Sequence, residues 1–369
     1  MVLRCAGWSL YQGQEQNNEA RLVFIEKNIV KPVANQRGLA LLVVLWVMAV
    51  LTVIVGQYSY GVRNETNSTR NFRDGAQAYY LARAGVYRGI ELLLDDAARE
   101  SGPEKEPLLF GVPLPAESLG NGHFSVVLED LSGRINLNLA TRELLELLPA
   151  GLDLDEDVRE TIVDSIEDWR DEDNMHRLFG AEDAYYNALP EPYDCADGAF
   201  FAPGDLLFVK GVSKELYQVM AKRITVFPLK EDFRVSRERR LNRRRRAQDV
   251  VMALLRKPQQ QVNINSAPRE VLQCLPGISA ANVAAILEAR KEKAFTSLGE
   301  VQSLFQGEGY AQAVRFITLK SGQYYSITSV GSSAEGDVER AVTAIVHLDR
   351  EEKQYTIVSW HDNAVMVWE

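Results

Sequence analysis

The chain has 369 residues, 46% hydrophobic and 25% charged, enough for two globular units and unlike a disordered or collagen-like polymer. Its 41 basic residues against 51 acidic ones leave a net charge of -10, which argues against a surface built throughout to hold nucleic acid or anionic lipid. Cys5, Cys195 and Cys274 are too few and too scattered for a disulfide framework or a four-ligand zinc site.

Leu39 to Val55 is a run of seventeen residues whose only polar member is Thr52. At about 1.5 Å per residue such a helix reaches roughly 25 Å, close to the hydrocarbon thickness of a bilayer. A soluble core helix would show a polar stripe at 3.6-residue spacing, and none appears before Gly56. A removable secretory signal would need a small-residue cleavage site after the apolar run, which Gly56-Gln57-Tyr58-Ser59-Tyr60 does not offer. The reading is a transmembrane helix over 39–56. Lys27, Lys31 and Arg37 before it are balanced by Arg63, Arg70 and Arg73 after it, so charge alone does not orient it.

Beyond the apolar run, Phe72, Ala76, Tyr79 with Tyr80, Val86 with Tyr87, Ile90, Leu93 with Leu94 and Ala97 keep a three-to-four spacing, interrupted by Arg83. This predicts an amphipathic continuation packed on a sheet and ended by Ser101-Gly102-Pro103. A seam for a partner helix is the other reading. His123 to Leu128 then predicts a strand.

An internal repeat follows. Ile135-Asn136-Leu137-Asn138-Leu139-Ala140-Thr141-Arg142-Glu143 returns at an offset of 127 as Val262-Asn263-Ile264-Asn265-Ser266-Ala267-Pro268-Arg269-Glu270. Ala199-Phe200 and Gly204-Asp205-Leu206 match Ala294-Phe295 and Gly299-Glu300-Val301 at an offset of 95. The offsets differ by 32, so the first copy carries about thirty-two extra residues, most of them within 171–196. Each copy reads as a helix, a turn, a second helix and a third after the Ala-Phe pair, a helix-hairpin-helix or SAM-like unit, at 131–225 and 260–320. In DNA-binding members of that class the turn amides hold a phosphate. After Leu275-Pro276-Gly277-Ile278 no cation appears until Arg290, so the turn reads as packing and nucleic acid is not expected. A membrane-anchored DNA-binding protein is the alternative function. The first copy's Leu148-Pro149-Ala150-Gly151-Leu152 is one residue longer, which leaves its geometry open.

Asp153 to Asp197 contains sixteen acidic residues and three arginines. Like charges at that density call for cations when a fold brings them together, and hard oxygen donors select Ca2+ over a transition metal. Asp168, Asp171, Asp173, Glu182 and Asp183 are the candidate ligands, interleaved with Trp169, Tyr185 and Tyr186, aromatics that a solvated loop does not need. The EF-hand pattern fails, since Met175 stands at its third ligand position. A solvated acidic loop is the competing reading. Arg237 to Arg246, with seven arginines and one glutamate, reads as a linker or as a partner for the acidic insertion.

Tyr324 to Val330 and Arg340 to Val346 predict a hairpin, and Tyr355 to Trp360 a further strand. The fold class is therefore α+β: a long N-terminal helix packed on a small antiparallel sheet, with an inserted α-helical domain at 131–320. The body is formed by 57–130 and 321–369. No nucleophile, base and orienting group can be assembled from the sequence, so no enzyme is expected.

These marks together resemble subunit K, a minor pseudopilin of the type II (general) secretion system. They are Gly38 before the apolar run, Ala78-Tyr79-Tyr80-Leu81-Ala82-Arg83-Ala84-Gly85, Asp130-Leu131-Ser132-Gly133-Arg134-Ile135-Asn136-Leu137-Asn138, the acidic region around Trp169, and Val262 to Pro268. The resemblance implies a pilin-like fold with a leader at 1–38, cut after Gly38 by prepilin peptidase, and a methylated Leu39 as the mature first residue. It implies one pass through the bacterial inner membrane with the C-terminal domain in the periplasm. The implied partners are minor pseudopilins I and J, other pseudopilins and the inner-membrane assembly platform, and the implied role is to cap the pseudopilus tip and start its assembly in support of protein export. Ordinary pilins keep a glutamate as the fifth mature residue, where it meets a neighbour's free amine, and here that position is Val43. A lone carboxylate in the bilayer costs about 2.5–3.5 kcal/mol, and a subunit at the tip has no neighbour above to offset it.

Overall fold

The computed structural model describes residues 37–98, 108–228, 260–305, 308–333, 338–350 and 352–362. The expected leader up to residue 36, the helix stop at 101–103 and the arginine run at 237–246 lie outside the described residues. The chain divides into two units, 1–67 and 68–369.

Helix α1 (Arg37–Ala98) is 62 residues long. Within the first unit it is long and apolar enough to cross a membrane, and its side chains from Leu39 onward are exposed. Thr52 Oγ1 donates to the carbonyl of Met48 at 2.7 Å, so the one polar side chain of the apolar run is satisfied inside the helix itself.

In the second unit, β1 (Glu117–Leu119) and β2 (Gly122–Asp130) precede a block of short elements. Its first half holds β3 (Ile135–Asn136), α2 (Arg142–Leu145), α3 (Glu156–Arg170), α4 (Asp183–Tyr186), α5 (Lys214–Met220) and β4 (Ile224–Thr225). Its second half holds β5 (Val262–Asn263), α6 (Arg269–Leu272), α7 (Ala280–Glu292), α8 (Leu298–Gln302), α9 (Gly309–Ala313) and β6 (Ile317–Thr318). Three long strands follow, β7 (Tyr324–Ser332), β8 (Glu339–Asp349) and β9 (Gln354–Asp362). The sheet order is β1-β2-β7-β8-β9, antiparallel throughout. The register of β2 with β7 runs from His123 opposite Ser332 to Asp130 opposite Tyr325, so the whole block leaves and re-enters between two paired strands.

The sheet-facing side of α1 differs from the expected stripe. Phe72, Tyr80 and Tyr87 are exposed, while Ala78, Leu81, Ala82, Val86, Ile90 and Leu93 are buried. The contact is made by small residues, which hydrophobic periodicity underweights. A Cβ added at Gly85 would lie 2.1 Å from Ser329 Oγ, and one at Gly331 would lie 2.2 Å from the carbonyl of Ala78. Helix and strand backbones therefore approach more closely than larger side chains allow.

Each half of the block is closed by a two-residue parallel ladder: Ile135 with Ile224 and Asn136 with Thr225 in the first, Val262 with Ile317 and Asn263 with Thr318 in the second. Such short ladders have too few residues to show alternation in the sequence. The third helix after the Ala-Phe pair is a 3-10 turn at Pro203–Phe208 in the first half and α8 in the second. One apolar core runs through both halves, from Ile135, Leu144 and Ile162 to Val262, Val271 and Ile286.

Replacing Gly331 by alanine should lower stability by about 1–3 kcal/mol, read as a fall in Tm, because the added methyl meets backbone rather than a movable side chain. An unchanged Tm would mean that α1 is not seated on β7.

Candidate functional site

The two halves of the block are held by the same local chemistry. Asn138 donates Nδ2 to the carbonyl of Phe200 and accepts from its amide at 3.0 and 2.8 Å. Asn265 does the same with Phe295, at 3.0 and 2.8 Å. Arg170 donates to the carbonyls of Leu137 and Ala140, and Arg290 to those of Ile264 and Ala267. Burial pulls the Arg290 guanidinium down to about 10. The bracket spans 62 residues in the first half and 30 in the second, so it keeps its form around an insertion of 32.

The acidic insertion meets arginines first. Arg142 holds Asp164, Glu167 and Glu160 at 2.6, 3.1 and 2.8 Å. Arg177 donates Nη1 to Asp168 Oδ1 at 2.5 Å and to Asp171 Oδ2 at 2.8 Å. Gly180 makes room for the buried Asp168, since a Cβ there would sit 1.8 Å from Oδ2. Burial pushes the Asp168 carboxyl upward against the pull of Arg177. Part of the cation demand read from the sequence is thus met by arginine side chains.

Of the five expected ligands, Asp168 is engaged by Arg177, Asp173 caps the amide of Met175, and Asp183 accepts from the amide of Cys195 and from Asn174. Asp171 Oδ1 is buried without a hydrogen-bond partner, and the two buried carboxylate oxygens of Glu182 meet no donor but the neighbouring Cys195 thiol. Asp197, absent from the expected set, adds a third orphaned carboxylate through Oδ1. Ligand atoms of Glu182, Cys195 and Asp197 lie within 4.8 Å of one another. Asp197 has φ 45°, a left-handed backbone that aspartate tolerates better than most residues. Its signal in the sequence is its place as the last acid of the run, directly before Gly198.

Burial pushes the Glu182 carboxyl up to about 7, and the charges of Asp168, Asp171 and Asp197 add to that shift. Burial also pushes the Cys195 thiol up to about 12. Cys195 and Cys274 are both free and buried. An aromatic wall backs the insertion: Trp169 lies edge-on to Tyr186 at 5.4 Å and stacks on Phe200 at 6.2 Å. A buried carboxylate without a partner is costly unless a cation meets it, and Glu182 and Asp197 with the Cys195 sulfur offer two oxygen donors and one thiol within reach of a single ion, Asp171 Oδ1 being a further unpartnered oxygen of the segment.

Both hairpin turns use a glycine at φ 75°, Gly151 and Gly277, so the extra residue of the first copy leaves the turn glycine in the same conformation. Gly277 is packed on Gly309, where an added Cβ would lie 2.2 Å from its carbonyl oxygen. The helix start that follows is closed by a capping box, Ser279 Oγ accepting from the amide of Asn282 and Asn282 Oδ1 from that of Ser279. The Gly277 backbone is thus packed on Gly309, and the Ser279 and Asn282 amides are taken up within the turn itself.

Gly38 and Leu39 lie in the first turn of α1, and Val43 is exposed on the apolar run.

Two family models, both described as type II secretion system, protein K, match residues 128–229 and 262–317. A type II secretion system protein K of Aeromonas hydrophila is 27% identical over 212 residues, covering 52% of this chain and 64% of the relative. One of Pseudomonas aeruginosa is 27% identical over 209 residues, covering 52% and 62%. The chain thus spans less than two thirds of the length of these relatives. Among solved structures, a chain of the GspK-GspI-GspJ complex from the type 2 secretion system of enterotoxigenic Escherichia coli superposes with a TM-score of 0.56 at 17% identity, covering 82% of this chain and all of that one. That likeness carries the fold: a long apolar helix, an antiparallel sheet and further helices.

Proposed function

The chain belongs to the type II secretion system protein K family, and from that membership we propose that it is the minor pseudopilin capping the tip of the pseudopilus. The family is a component of the secretion apparatus and not an enzyme. The observation that carries the tip position is the pairing of β2 with β7 around the inserted block, which adds a bulky domain to a helix-and-sheet body. A domain of that size does not recur along a tightly wound filament, whereas a subunit with nothing above it accommodates it. Val43 supports the same position, since a tip subunit gains nothing from a membrane-buried carboxylate.

The solved relative is in complex with GspI and GspJ, and minor pseudopilins I and J are the partners proposed here, with other pseudopilins, prepilin peptidase and the assembly platform acting during biogenesis. The apolar helix anchors the chain once in the inner membrane, with the second unit in the periplasm. The repeats are helix-hairpin-helix-type units used for packing, supported by the covered Gly277 turn.

Calcium belongs to the same reading as a structural ion, held by Asp171, Glu182 and Asp197, with Asp168, Asp173 and Asp183 bracing the surrounding loops through Arg177, Met175 and Cys195. It supplies positive charge to the orphaned oxygens and no reaction.

Mass spectrometry of the chain purified from its membrane should find N-methylated Leu39 as the first residue, and any other start would refute the pseudopilin reading. Calcium at a hundredfold excess over Kd should stabilise the fold by about 2.7 kcal/mol. Glu182→Gln with Asp197→Asn should abolish the Tm difference between calcium and chelator, and equal Tm values for the unaltered protein would remove the ion from the account.

A further inference from the structure

Glu182, Cys195 and Asp197 bring three ligand atoms within 4.8 Å of one another, and among the described residues no other group of this kind occurs. Asp171 is not part of it, nor are Asp168, Asp173 and Asp183. One of the three corners is therefore sulfur. Glu182 and Cys195 are 3% and 7% exposed.

Each of the three is held by backbone contacts. Glu182 stands directly before α4, and its carbonyl accepts from the Tyr185 amide at 2.8 Å. The Cys195 amide donates to Asp183 Oδ1 at 2.7 Å. Asp197 takes its left-handed backbone one residue before Gly198, whose amide is tied to the carbonyl of Trp169 at the end of α3. The start of α4 and the return of the acidic segment thus converge on one point. There the Cys195 thiol donates to the Glu182 carboxylate, and neither oxygen of Glu182 nor Asp197 Oδ1 has any other partner.

We infer that Glu182, Cys195 and Asp197 form a zinc site, and that its sulfur makes the position select a thiophilic divalent ion over calcium. The inference rests on the reading above that a structural cation sits in the acidic segment, and it sharpens that reading by naming a different third donor and hence a different ion. Calcium gathers about six to eight oxygens and gains nothing from a thiol at one corner. Zinc accepts thiolate and carboxylate together, and three protein ligands with one water complete its tetrahedral shell. When zinc binds, the S–H bond of Cys195 breaks, the electron pair stays on sulfur to form the Zn–S bond, and the proton leaves to solvent. No oxidant or reductant takes part. The ion then stands where the thiol proton stood, between the sulfur and the Glu182 carboxylate.

The test uses the full chain in detergent micelles, carrying Cys5→Ser and Cys274→Ser so that Cys195 is its single thiol, stripped with chelator and kept reduced. Cobalt(II) is the probe, because a thiolate bound to it shows a charge-transfer absorption in the near ultraviolet. One equivalent of Co2+ should produce that band, one equivalent of Zn2+ should erase it, and a large excess of Ca2+ should leave it in place. Adding Cys195→Ser should remove the band and weaken zinc binding by about tenfold or more, since losing a ligand costs no less than losing an outer-shell partner, about 10–100-fold. Any calcium-dependent rise in Tm should persist in that variant, because serine leaves the carboxylates in place. The band is read on the chain that keeps Cys195, so the outcome does not depend on how well the serine variant folds. No band at saturating cobalt, or a band that calcium erases as readily as zinc does, would overturn the zinc assignment and leave the calcium reading standing. If neither zinc nor calcium raises the Tm, the cation reading falls and the zinc site with it.

Discussion

The architecture depends on one buried carboxylate. A domain that interrupts a sheet between two paired strands must leave and return at the same place, and Asp130 holds that place. It is 2% exposed at the end of β2 and accepts from the amide of Ser132 at 2.9 Å, where the insertion leaves. It accepts from the amide of Gly322 at 3.3 Å, where the insertion returns, and from Asn263 Nδ2 at 3.0 Å, at the start of the second repeat. Ser132 Oγ also takes the Gly322 amide, at 3.1 Å. Three backbone or amide donors meeting one ionised acceptor satisfy it without a counter-ion, the condition under which a buried charge is tolerated. Space is equally constrained: a Cβ at Gly133 would lie 2.5 Å from the backbone of Ser266.

Beyond that junction, one bracket used twice explains how the inserted block absorbs a long acidic segment. The Asn-Phe pair and the arginine that reaches back to the preceding carbonyls are fixed contacts, and the chain between them varies. In the first repeat, the amide of Gly198 donates to the carbonyl of Trp169 at 3.2 Å and ties the acidic segment's exit to the end of α3. The acids then collect at that end, where Arg177 neutralises some, Asp171 through Oδ2 among them, and Asp171 Oδ1, Asp197 Oδ1 and the Glu182 carboxylate are left without a cationic partner. The proposed structural cation would add rigidity to a surface loop and leave the repeat's own packing as it is.

Much of this was legible in the sequence because it rests on period and identity. The apolar run, the repeated Asn-x-Asn-x-Ala motif and the strands around Val126, Ile327 and Ala344 are patterns that survive without knowledge of contacts. The sheet-facing side of α1 was not, because Gly85 and Ala82 bury backbone rather than apolar side chains, while Tyr80 and Tyr87 look like core by composition and are exposed. Asp197 was hidden among sixteen acids, since only the fold separates carboxylates with a partner from those without. Arg83 reads as a flaw in a buried stripe and lies instead on the exposed side of α1.

The most direct test of the central claim is hydrogen exchange on the full chain carrying Asp130→Ala, read together with thermal unfolding. The account predicts lost protection in peptides covering residues 131–135 and 320–323, a cost of about 1.5–3 kcal/mol for hydrogen bonds to a charged group, and separation of a single unfolding transition into two. Unchanged protection at both segments with one unshifted transition would contradict it.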